Sequence, residues 1–124
     1  MAKKTRDPTA AFRRIALSLP QAYESSHMGH PDFRVPVPKG KIFATLFCSS
    51  DAINTEDCGM VKLTPELQDE FVAAHPRMFR PCKGTWGLQG CTQVDLSEVN
   101  APVLKEVLAA AWRNVAPKAL LKEL

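Results

Sequence analysis

The chain has 124 residues, 45% hydrophobic and 23% charged, the balance of a soluble globular protein long enough to bury one core without staples. Sixteen Lys and Arg against thirteen Asp and Glu leave +3, an excess whose meaning depends on where it sits. No apolar run approaches the ~20 residues that cross a bilayer, and the basic start Met1-Ala2-Lys3-Lys4 has no apolar stretch behind it, so a cytoplasmic protein is expected.

Residues 1–7 are expected to be flexible. Asp7-Pro8 then opens a first helix, with a capping carboxylate and proline at the first helical position. Phe12, Ile15, Ala16 and Leu19 follow at i, i+3, i+4 and i+7 and define its buried face, while Arg13 and Arg14 fall outside it. Pro20 stops this helix. Val35-Pro36-Val37-Pro38 restricts any strand there to an edge or a bulge, and Lys39-Gly40 forms a turn. Residues 42–47 are the strongest strand, residues 49–57 read as a loop, and residues 60–63 as a second strand.

Thr64-Pro65 repeats the opening signal, with Leu67, Phe71 and Ala74 on one face and Pro76 as the stop. The alternation Trp86, Leu88, Gly90, Thr92, Val94, Leu96 predicts a strand with one side buried. Leu104, Val107, Leu108, Ala111, Trp112 and Val115 define the last long helix, capped by Asn100 and broken by Pro117, with a short tail helix after it. The order is α-β3-α-β2-α. That is a single compact α+β domain over residues 1–124, its sheet mostly antiparallel because the strand connections are too short for crossover helices.

Charge is segregated along this order. Residues 33–50 hold Arg34, Lys39 and Lys41 and no acid. Residues 71–94 hold Arg77, Arg80 and Lys83, again with no acid. Between them, residues 51–70 set six acids against Lys62 alone, for −5. The two basic segments coincide with the two hairpin regions, and cations at hairpin turns reach phosphates by releasing condensed counterions. Phe33, Phe43, Phe79 and Trp86 lie among these cations, though aromatic residues in strands more often fill a core.

Other chemistry is thinly signalled. His27-x-x-His30 with Asp32 could begin a metal site, but Gly29 and Pro31 oppose a helix and no further ligand is evident. The alternative is a loop whose imidazoles cap backbone groups, and no metal or cofactor is expected. Cys48, Cys58, Cys82 and Cys91 form no C-x-x-C pair; a reducing cytoplasm makes them free thiols, with a disulfide as the alternative. Gly84-x-x-Gly87-x-x-Gly90 lacks the context of a phosphate loop and instead lets strands bend or approach. There is no nucleophile elbow and no other enzyme signature, so no catalytic residue is assigned.

Several stretches in their order carry a family likeness. Phe12-Arg13 through Leu19-Pro20 is followed by Ser26 to Val35 (SHMGHPDFRV), then by Gly40-Lys41-Ile42-Phe43-Ala44-Thr45-Leu46. Val61-Lys62-Leu63-Thr64-Pro65, Trp86-Gly87 and Ala110-Ala111-Trp112 complete the pattern. Over residues 9–120 this resembles the MmcQ/YjbR family. The resemblance implies a fold similar to CyaY-like and secretion-chaperone-like domains, and a "double wing" DNA-binding module whose two hairpins present positive charge. On that basis the matching cations are Arg34, Lys41 and Lys62; the charge distribution adds Lys39, Arg77, Arg80 and Lys83. The implied partner is duplex DNA, held largely through phosphates by a monomer or weak homodimer, with no membrane involved.

A protein-interaction or chaperone-like domain is the alternative. A frataxin-like metal handler is disfavoured, because no acid lies between Pro8 and Ala22. Two positions depart from the family pattern. The Val35–Lys41 segment is longer and richer in proline, and Cys91 stands where the family often has Trp.

Overall fold

A computed structural model describes residues 8–36, 40–47, 52–53 and 57–124. Along them run α1 (Pro8–Leu17), β1 (Tyr23–His27), β2 (His30–Val35), β3 (Lys41–Thr45), β4 (Cys58–Lys62) and α2 (Pro65–Ala74). Then follow β5 (Phe79–Pro81), α3 (Gly84–Leu88), β6 (Cys91–Asp95), α4 (Ala101–Val115) and α5 (Lys118–Leu121). The strands make one antiparallel sheet in the order β1-β2-β3-β4-β6-β5. The α+β class and the antiparallel sheet agree with the sequence.

Successive residues of a strand face opposite sides of the sheet, so cross-strand partners share a face. The row Phe79, Val94, Gly59 lies on the helix side. There a Cβ at Gly59 would meet the ring of Phe12 at 2.7 Å, so only glycine lets α1 come this close. Phe12, Ile15, Ala16 and Leu19 of the first helical stripe are all buried, as are Leu104, Val107, Leu108, Ala111 and Trp112 of α4. Each large apolar side chain buried this way contributes roughly 1.5–3 kcal/mol. The indole N–H of Trp112 donates to the Pro20 carbonyl at 3.0 Å, which ties α4 to the chain leaving α1.

The helix starts follow the sequence closely. Thr64 accepts from the Leu67 N–H and Asn100 from the Val103 N–H, each with proline in the first turn. The carboxylate of Asp7, expected to cap α1, lies outside the described residues, as do the rest of residues 1–7, Val37, Pro38, Lys39, Cys48 to Asp51 and Asn54 to Glu56.

Two local expectations are corrected. The His27–His30 stretch is a tight hairpin, not a loop: Met28 (φ 51°) and Gly29 (φ 81°) form a two-residue turn between β1 and β2. This adds a fourth strand before α2. The run from Trp86 to Leu96 is two elements. Trp86 and Leu88 belong to α3 and are exposed, and the strand begins only at Cys91. Gly90 separates the two, at φ 110°, where a Cβ would sit 1.9 Å from the Leu63 carbonyl oxygen. The expected bulge near Val35 occurs as a register shift between Phe33 and Arg34.

Candidate functional site

Antiparallel register decides where the basic positions meet. Val35 pairs with Lys41, Lys62 with Cys91, and Pro81 with Thr92, so all of these lie at one end of the sheet. Lys41 and Lys62 are exposed there. Lys83, two residues beyond the end of β5, leaves the sheet at the same end and is exposed too. Arg80 sits one row further in, level with Gln93 and Met60. Arg77 precedes β5 and therefore lies at the opposite end. Lys39 is outside the described residues.

Arg34 reaches the same end but its charge is already matched. Its Nε donates to Asp32 Oδ1 at 2.7 Å and its Nη2 to Asp32 Oδ2 at 3.1 Å. The carboxylate also meets His27 Nδ1 at 2.7 Å. Asp32 is wholly shielded from solvent, which by itself raises its pKa, yet the bonds from Arg34 and His27 hold it below the usual carboxylate range. The Arg34 guanidinium is correspondingly stabilised in its charged form, chiefly by its bond to Asp32. His27 is thus occupied by a carboxylate and His30 packs edge-on against Phe47, centroids 4.3 Å apart. Among the described residues no three His, Cys, Asp or Glu side chains gather as a metal site.

The sheet face away from α1, α2 and α4 carries a trough of about 340 Å³, flanked by α3. Its floor includes Ile42, Thr45, Met60, Lys62 and Cys91, with His27 at one margin and Trp86 and Gln89 of α3 at the other. The trough exists because β3 and β4 pair over only Ala44–Val61 and Thr45–Met60, then separate towards the basic end. Asn114, from the last turn of α4, closes that gap by donating to the Lys62 carbonyl at 3.0 Å. Trp86 is 68% exposed and Leu88 80% exposed, an apolar pair on α3 beside the lysines. Sequence reasoning missed this arrangement because it placed both residues in a half-buried strand. Of the sequence signals, only the Gly84, Gly87 and Gly90 spacing marked the region as unusual. At Gly87 a Cβ would fall 1.8 Å from the Cys82 carbonyl oxygen, so α3 lies directly on the end of β5.

The acidic segment lies elsewhere. Glu66, Asp69 and Glu70 are exposed on α2, which packs its Phe71 ring against Phe79 on the helix side of the sheet. Asp51 and Glu56 are outside the described residues. No described helix is long and apolar enough to cross a membrane.

Residues 17–114 match the family model YjbR. The crystal structure of the Deinococcus radiodurans protein DR2400, which has a DUF419 domain, is similar with a TM-score of 0.72. The two share 22% identity, and the likeness covers 98% of this chain and 91% of that one. At that identity the likeness is one of fold. No curated protein matches the chain.

Proposed function

The chain belongs to the YjbR family, and from that premise we propose that it binds duplex DNA through phosphate contacts made by the basic end of its sheet. The observation that carries this reading is the shared placement of Lys41, Lys62 and Lys83. From β3 to β5 is three strand spacings, at least about 14 Å because β3 and β4 separate at this end, and the major groove is ~12 Å wide. Lysines so spaced reach phosphates on both sides of a groove, with Arg80 behind them. Contacts of this kind position a protein but read little sequence, so binding is expected to be largely non-specific.

The test is a titration of a short duplex across a salt series. Binding at ~50 mM salt that weakens linearly in log–log form supports the reading; no binding, or no salt slope, overturns it.

A second reading, a protein-interaction surface on α3, is favoured by the exposure of Trp86 and Leu88. Here the partner would be a second copy of the chain. Sedimentation across a concentration series, with Trp86→Asp as the comparison, decides it. A monomer at every concentration excludes self-association.

A further inference from the structure

Two cysteines on the trough side of the sheet are adjacent in space though nine positions apart in sequence. Pro81 pairs with Thr92, so Cys82 and Cys91 are the next rung of the same antiparallel ladder, and the Cys82 N–H donates to the Cys91 carbonyl at 3.0 Å. Their sulfurs lie 2.9 Å apart, with the Cys82 thiol donating to Cys91 Sγ. Both are free thiols and both are partly accessible. Directly opposed residues of an antiparallel pair have Cα atoms about 4.5–5.5 Å apart, within the range that a disulfide bridges. Closing the bond therefore needs the sulfurs to approach by less than about 1 Å.

We propose that Cys82 and Cys91 form a thiol–disulfide exchange site, with Cys91 as the attacking sulfur, Cys82 as the resolving one, and a low-molecular-weight disulfide of the glutathione class as its oxidant. The two sulfurs are not equivalent. Cys91 lines the trough, so a small disulfide reaches it from the open face of the sheet. The bond from the Cys82 thiol, together with the charge of Lys62 on the paired strand, holds the Cys91 thiol below its ordinary pKa despite partial burial. Cys82 is pushed the other way, by its bond to Cys91 first and by burial second. Met60 of β4, in the same trough as Cys91, brings its sulfur within 3.6 Å of Cys82 Sγ, so an apolar thioether flanks the resolving thiol.

The exchange balances in two steps. The Cys91 thiolate attacks one sulfur of the oxidant, forming a mixed disulfide and releasing the first thiolate, which takes up a proton. Cys82 then loses its proton and attacks Cys91 Sγ, forming the cross-strand bond and expelling the second thiol. Two electrons pass from the cysteine pair to the oxidant, and two thiols leave. The bond encloses residues 83–90, the segment that carries α3 and Trp86, so oxidation fastens α3 to the sheet.

The experiment exposes the full chain to oxidised glutathione, traps remaining thiols by alkylation and maps the peptides by mass spectrometry. In the wild type, Cys82 and Cys91 are expected to appear linked, with the mass lower by two hydrogens. Cys82→Ser should stop at the first step, keeping glutathione on Cys91. Cys91→Ser should take up glutathione at Cys82 at least about tenfold more slowly than Cys82→Ser does at Cys91. Wild-type protein in which both cysteines stay alkylatable, or in which glutathione persists on Cys91 without ring closure, overturns the proposal. The wild-type map decides alone if either variant fails to fold.

Discussion

Asp32 keeps its charge where water does not reach it, and it does so only because Arg34 and His27 hold its two oxygens. Removing one member of a shielded charge cluster leaves the others without a partner, which costs about 3–5 kcal/mol when all are buried. Here His27 and Arg34 retain some access to solvent, so Asp32→Asn is expected to cost less, about 2–3 kcal/mol. For a domain of this length that corresponds to a fall of roughly 6–15 °C in Tm. The pH dependence has a definite sign. A carboxylate whose folded pKa is depressed gives its full contribution above the unfolded value of about 3.9, and that contribution is lost as pH falls through the folded value. Denaturant unfolding should therefore show the gap between wild type and Asp32→Asn narrowing below about pH 4. A gap unchanged from neutral pH to about pH 2 would mean the ion cluster contributes nothing through charge.

The β1–β2 hairpin shows how an element forms against a local preference. Its two-residue turn needs positive φ at both positions, which suits Asn-Gly, yet the first position is Met28 at φ 51°. An ordinary L-residue there pays about 1–2 kcal/mol, and Met28 recovers nothing by packing, since it is 89% exposed. Met28→Asn is accordingly expected to stabilise the protein by about 0.5–1 kcal/mol. A rise in denaturation midpoint without a change in m checks this, and a loss of stability would contradict the turn assignment. The same residues explain what was legible in the sequence. α1, α2 and α4 announce themselves because Pro8, Thr64-Pro65 and Asn100 carry their own start signals; the stripes of α1 and α4 bury as spaced, whereas on α2 Leu67 and Phe71 are half-buried and Ala74 is exposed. β1 was hidden because its residues, Tyr-Glu-Ser-Ser-His, are largely exposed and carry no apolar alternation, and because methionine is not a turn signal. α3 was hidden for the opposite reason. Trp86 and Leu88 alternate like a strand, but their exposure is a property of where Gly87 and Gly90 bring the backbone, through close contacts with Cys82 and Leu63 distant in sequence. The cysteine pair belongs to the same class. Only the β5–β6 register makes neighbours of Cys82 and Cys91, and a three-residue β5 leaves little periodicity to read.

At the scale of the whole molecule, the order of strands turns a modest net charge into a directional one. Lys41, Lys62 and Lys83 come from three separate stretches of chain, and antiparallel pairing delivers all three to one end of the sheet, while Arg77 is carried to the other. The exposed acids of α2 belong to the helix layer. Sequence charge alone treats Arg77 and Lys83 as members of one basic segment; geometry separates them, and binding energetics should separate them too. Each phosphate neutralised contributes about 0.9 to the slope of log affinity against log salt on duplex DNA. The triple variant Lys41→Gln, Lys62→Gln, Lys83→Gln is thus expected to lower the slope by roughly 2.7, whereas Arg77→Gln leaves it unchanged. Arg34→Gln should also change it little, because Asp32 already matches that charge, although the variant loses stability. All of these positions are cations, so a general loss of net charge predicts a graded effect that ignores location. A slope that falls as much for Arg77→Gln as for any one of the three lysines would reject the basic end of the sheet as the DNA-binding surface. A fall confined to the lysine variants would locate the contact, because Arg77 carries the same charge at the other end of the same sheet.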